Sequence, residues 1–128
     1  EGEIPWGDGR MSLSLEIDTD DTETWDKARA FARKLATDAA HWDSELRHFA
    51  AKELTELAND WQSSDEENEN APELTEEDFM RRIQPESLVL SWDGNLVAYY
   101  DDDDLFFGHV IEISGTESEG LKYANIAG

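Results

Sequence analysis

"SLVLSWDGNLVAYYDDDDLFFGHVIEIS", residues 87–114, is three apolar runs separated by turn chemistry. Leu88, Leu90 and Leu96, Ala98, Tyr100 alternate with Ser87, Val89, Ser91 and Val97, Tyr99, the period of two expected of strands. Asp93-Gly94 between the first two runs is a strong hairpin signal, because a tight two-stranded turn needs residues that tolerate positive φ. The second and third runs are joined through Asp101–Asp104. If Asp102 to Leu105 form a four-residue hairpin loop, Asp101 lies opposite Phe106 and Ala98 opposite His109. Phe107, His109, Ile111 and Ile113 then share a face with Leu96, Ala98 and Tyr100, and His109 points into an apolar surface. Downstream, "GTESEG" reads as a further turn and "LKYANIAG" as a last strand.

Upstream the pattern changes. "EIPWGDGRMSLSLEID" breaks at Gly7-Asp8-Gly9 and resumes as an alternating strand through Met11, Leu13, Leu15 and Ile17. From there Trp25, Ala28, Ala32, Leu35, Ala39 and Trp42 recur at helical spacing, behind a cluster of Asp and Thr suited to capping. The stripe runs on through Leu46, Phe49, Ala50, Leu57 and Trp61. One helix over 22–61 would be about 60 Å long at 1.5 Å per residue, so a break is predicted near Asp43-Ser44. The acidic stretch 62–73 reads as a mobile loop. Thr75 and Asp78 form a variant capping box, with Leu74 placed to staple onto Phe79, and Pro85 ends this short helix by forcing Gln84 towards an extended conformation. The order strand, helices, strands predicts an α+β fold over residues 1–128 as one domain: an antiparallel β-meander of four to five strands packed against two to three helices.

Ten basic residues face 32 acidic ones, a formal charge of −22, and nine of the ten bases precede residue 83. Such a chain repels phosphate backbones and anionic headgroups, which disfavours nucleic acid and membrane surfaces as partners and favours a basic protein or a cation. The charge has a second reading, solubility or adaptation to high salt, where screening removes self-repulsion. Five tryptophans in a chain that is 38% hydrophobic argue for a packed core rather than a disordered acidic tail. There is no cysteine, so disulfides and thiol chemistry are excluded. No apolar run approaches the roughly 20 residues of a membrane span, and no signal peptide is visible, so a cytoplasmic location is expected.

Asp101, Asp102, Asp103, Asp104 and His109 are the candidate contact residues, with Trp6, which lies between Pro5 and Gly7, the tryptophan most open to a binding role. Asp101, Asp103 and Glu112 match positions 1, 3 and 12 of an EF-hand loop, but Leu105 and Phe106 stand where a ligand and the turn glycine belong, and the flanks are strands. Zinc is disfavoured because His41, His48 and His109 belong to different elements. No metal or cofactor is expected. A histidine among apolar neighbours is usually a hydrogen-bonded core residue; its functional alternative is a general base or pH-sensitive contact. No serine sits in a Gly-x-Ser-x-Gly turn to make a nucleophile.

"WGDGRMSLSLEID", "LTEEDFMRRI", "SLVLSWDG", "YYDDDDLFFGHVIEI" and the closing "IAG" together resemble a small bacterial family catalogued as domain of unknown function 2262. The resemblance covers nearly the whole chain and is most specific at the aspartate-rich turn with Leu105-Phe106 and Gly108-His109. It implies an architecture and brings no mechanism with it. The expectation is therefore a noncatalytic acidic interaction module binding a basic partner, of which an immunity-type protein neutralising a cationic toxin is one example by analogy of size and charge. The alternative is an enzyme or metal-assisted site centred on Asp101–Asp104 and His109.

Overall fold

The structure, a computed structural model, describes residues 2–6, 9–17, 20–63, 74–103, 106 and 108–127. Six strands form one mixed sheet: β1 (Gly2–Trp6), β2 (Gly9–Glu16), β3 (Gln84–Ser91), β4 (Asn95–Asp101), β5 (Val110–Thr116) and β6 (Gly120–Ala127). Three helices lie between β2 and β3 in the chain: α1 (Thr22–Thr37), α2 (Ala39–Ser63) and α3 (Glu76–Arg82). The spatial order of the strands is their sequence order. β3 to β6 make the expected antiparallel meander. The strand count exceeds the expectation because residues 2–6 pair antiparallel with β2, and β2 joins β3 in parallel register, Ser12 beside Ser87 and Leu15 beside Leu90. A parallel pair needs a long crossover, and the three helices supply it.

The helices cover one face. Met11, Leu88, Leu90, Leu96, Ala98, Tyr100, Ile111 and Ile113 point from the sheet into a core shared with Phe31, Leu35, Leu46, Leu54 and Phe79. The intervening strand residues, among them Ser87, Val89, Val97, Tyr99, Glu112 and Ser114, form the opposite face and are half-buried.

Local chemistry explains the helix ends. The Asp21 carboxylate accepts the Glu23 N–H at the start of α1. The break between α1 and α2 falls at Asp38, five residues before the predicted Asp43-Ser44: the Asp38 N–H donates back to Leu35 O (3.2 Å) and its carbonyl accepts from Trp42 N (3.1 Å), so one residue both ends α1 and starts α2. Asp43 instead lies inside α2, held by tertiary partners. The Thr75–Asp78 capping box is present in both directions, and Ile83 caps α3 in extended conformation before Pro85. Ahead of α3, the Asn59 amide clasps the Leu74 backbone, accepting its N–H at 2.7 Å and donating to its carbonyl at 3.1 Å. Of the predicted acidic loop at 62–73, residues 62 and 63 belong to α2 and the rest lies outside the described residues.

Candidate functional site

The β4–β5 connection departs from the predicted four-residue loop. Asp101 pairs with Val110, Tyr100 with Ile111 and Ala98 with Ile113. The loop is therefore residues 102–109, and the register is displaced by four. Four is even, so Leu96, Ala98, Tyr100, Ile111 and Ile113 keep their predicted face, whereas Phe106, predicted on the opposite face, is buried in the core, His109 sits in the loop, and Phe107 lies outside the described residues. The displacement has a local cause. Asp102 is not solvated at a hairpin tip; it is 1% exposed, and its Oδ2 accepts the backbone N–H groups of Phe106 (2.9 Å), Gly108 (3.2 Å) and His109 (3.0 Å). A buried carboxylate ringed by amide donors stabilises a wider turn that strand patterning alone does not encode. Gly108 takes φ +92°, a conformation that costs a residue without Cβ little.

The other aspartates have separate duties. The Asp101 carboxylate accepts the Asp103 N–H. Asp103, at φ +49°, bonds Arg82 of α3 twice, through its carboxylate and its carbonyl, both at 3.0 Å. Asp104 lies outside the described residues. His109 is half-buried, its Nδ1 hydrogen-bonded to Phe106 O. A carbonyl only accepts, so Nδ1 donates the proton in this bond. Its ring meets Trp61 edge to face at 5.4 Å, and Trp61 meets Phe106 the same way. The loop is thus tied to α3 by Asp103 and to α2 by an aromatic cluster.

Trp6 is not on the surface. It is 0% exposed, and its indole N–H donates to the Tyr100 hydroxyl at 2.9 Å. That hydroxyl donates in turn to Asp43 Oδ1 at 2.6 Å. Arg47 Nε bonds both Asp43 oxygens, and Arg47 Nη1 bonds the carbonyls of Met80 and Ile83 at 2.6 Å each, closing the C-terminal end of α3. This chain links β1, β4, α2 and α3. Burial, followed by the bond to Asp43 and its charge, holds the Tyr100 phenol far above its ordinary pKa, against the opposing Trp6 N–H and Arg47. Sequence reasoning missed this unit. Its readable signal was a carboxylate and a guanidinium four apart in phase with the apolar stripe of α2. The tryptophans also trade places with expectation: Trp25 and Trp92 are each 41% exposed, whereas Trp6 is core.

On the helix-free face, a shallow groove of about 450 Å³ is lined from β6 to β2 by Tyr123, Ser114, Val97, Val89 and Glu16. Tyr99 lies beside Glu112 on this face, its phenol pKa raised by burial first and then by the Glu112 and Glu16 charges. Six basic side chains, Arg10, Lys34, Arg47, Arg81, Arg82 and Lys122, pair with acids of the same chain. Lys27 and Arg29 lie over the rings of Trp92 and Trp25. Among the described residues no three His, Asp or Glu side chains converge as metal ligands, and no helix is long and apolar enough to cross a membrane. Among the described residues of the loop, the Asp101 and Asp102 carboxylates accept backbone donors and Asp103 pairs with Arg82.

A protein-family model described as "Uncharacterized protein conserved in bacteria (DUF2262)" matches residues 1–126. No curated protein and no solved structure matches the chain.

Proposed function

The chain belongs to the DUF2262 family of bacterial proteins, and from that premise we propose that it is a noncatalytic interaction module whose anionic surface binds a basic protein. The observation that carries this reading is the disposition of charge. Against 32 acids stand ten bases, six of them engaged by the chain's own carboxylates, so an approaching molecule meets excess negative charge. Such a field accelerates encounter with cations and selects against anionic partners. The aspartate turn supports the reading by what occupies it: Asp102 and Asp103 hold a loop and a helix together. The test is affinity capture from extract of the native bacterium, at low and at molar salt. Basic proteins retained at low salt and released at high salt are expected; retention of nothing, or only of neutral proteins insensitive to salt, refutes the proposal.

A second reading places an enzyme or metal-assisted ligand site around Asp101–Asp104 and His109. One observation favours it, the half-buried His109 ring, held through Nδ1 by Phe106 O and set edge to face against Trp61. His109→Gln discriminates: unchanged stability with altered ligand or metal binding favours the site, whereas lost stability with no binding phenotype favours a packing role.

A further inference from the structure

The two edges of the sheet are not alike. β1 has five residues, one of them Pro5, which has no N–H to offer, and it carries the Glu3–Arg10 ion pair across to β2. Short length, proline and charge are the usual means by which an edge strand is kept from pairing with another chain. β6 has eight residues, "GLKYANIA", with no proline and no carboxylate in a chain of 32 acids. Its one charge, Lys122, is hydrogen-bonded to Glu119 of the preceding turn, which raises its pKa.

β6 pairs with β5 alone among the described residues, and alternate residues of an antiparallel edge strand turn their N–H and C=O outward. On the helix side of β6, Leu121, Ala124 and Ile126 are only partly buried against the core. On the other side Tyr123 is 69% exposed, at the mouth of the groove. Beside Asn125 lies Glu112 of β5, and Glu117 and Glu119 belong to the turn that leads into β6, where they pair with Lys34 and Lys122. An acid-free edge strand thus lies beside the Glu112 carboxylate.

We propose that the β6 edge receives an extended segment of a basic partner, which adds as a seventh strand and alternates apolar with Lys or Arg side chains. The apolar positions cover Leu121, Ala124 and Ile126. The cationic positions lie over the Tyr123 ring and towards Glu112, where cation–π and charge attraction act together. Main-chain bonds supply affinity and the alternation supplies specificity. A second copy of this chain fits less well, since it brings a further −22 to the same edge.

This inference rests on the basic-partner reading, and the experiment separates their failures. The probe is an eight-residue peptide alternating Lys and Val, compared with a peptide of equal charge in which prolines replace the valines. Both are titrated into the intact protein at low salt, with amide exchange followed residue by residue. The expected result is binding of the Lys–Val peptide alone, with slowed exchange confined to the outward amides of 121–127. Ala124→Pro and Asn125→Pro extend the test. One of these adjacent substitutions removes an outward N–H without touching the β5 ladder, and that variant, folded by circular dichroism, is expected to bind at least ten-fold more weakly. Equal binding of both peptides without protection in β6 overturns the docking site and leaves the basic-partner reading standing. Binding of neither peptide overturns both. Concentration-dependent dimerisation that protects the same amides identifies a second copy as the occupant and overturns the proposal.

Discussion

Replacing Asp102 by alanine removes the acceptor for three backbone N–H groups at 2.9, 3.2 and 3.0 Å. Hydrogen bonds to a charged group contribute about 1.5–3 kcal/mol each, and a buried donor left unmet costs about 1–3 kcal/mol. The three donors are not equivalent. Phe106 is buried and His109 half-buried, whereas Gly108 is exposed and water replaces its partner. Counting the two shielded donors, Asp102→Ala is expected to cost about 3–5 kcal/mol, a large share of the roughly 5–15 kcal/mol by which domains are stable. Asp102→Asn keeps an oxygen in place and loses the charge, so about 1–2 kcal/mol is expected. Asp103→Asn, a residue that tolerates positive φ, gives up an ion pair open to solvent and is expected to cost less than about 1 kcal/mol. Urea unfolding followed by tryptophan fluorescence reads all three, since Trp61 packs on Phe106 and His109 of this loop. An Asp102→Ala variant within about 1 kcal/mol of the parent, or no less stable than Asp103→Asn, refutes the assignment of Asp102 as the organiser of the turn.

Tyr100 and Tyr99 both have raised phenol pKa values, so absorbance titration is expected to show them ionising above the usual value of about 10, Tyr100 last and only with unfolding. Because the folded form of Tyr100 binds its proton more tightly than the unfolded form, its stabilising contribution is complete below about pH 10 and is lost as pH rises beyond it; Tyr100→Phe is expected to flatten that alkaline arm of the stability curve. A Cβ at Gly115 would lie 2.3 Å from Gly120 O and 2.7 Å from the Leu121 Cα, both backbone, so Gly115→Ala is expected to cost about 3 kcal/mol, the upper end for overpacking, and to speed amide exchange in β6 before any other strand. If self-repulsion strains the folded state, the thermal midpoint is expected to climb by several degrees from low to molar salt; a flat response places the acids too far apart to repel.

What was legible in the sequence was local. The Thr75–Asp78 box and the Asp93-Gly94 turn need only residues a few positions apart, and both are present. The faces of β4 and β5 were legible too, since a period of two survives any even displacement of register. The register itself was not, because it depends on one buried carboxylate among four identical neighbours, and pattern does not say which aspartate turns inward. The Asp38 joint was missed for a related reason. Asp43 has the chemistry of a cap, but Tyr100, 57 positions away, engages its carboxylate in mid-helix. The burial of Trp6 and the parallel pairing of β2 with β3 likewise depend on partners 94 and 75 residues distant, beyond the reach of local patterning. At His109 the apolar setting was readable, whereas its Nδ1 hydrogen bond depends on Phe106 O within the unforeseen wider loop.

The Asn59 clasp on Leu74 has a consequence for how this chain tolerates change. Its two hydrogen bonds fix the exit of α2 and the entrance of α3 to one another, so the strongly acidic stretch between them begins and ends at points set by the scaffold. Closing a loop between fixed points grows costlier only with the logarithm of its length, about 0.6 kcal/mol for each doubling. Length at this one place is therefore expected to weigh little on the stability of the sheet and its helices. Insertions or deletions between Ser63 and Leu74 are accordingly expected to leave the described strands in register, so that the number of acids the molecule carries there, and with it the electric field around it, is open to change.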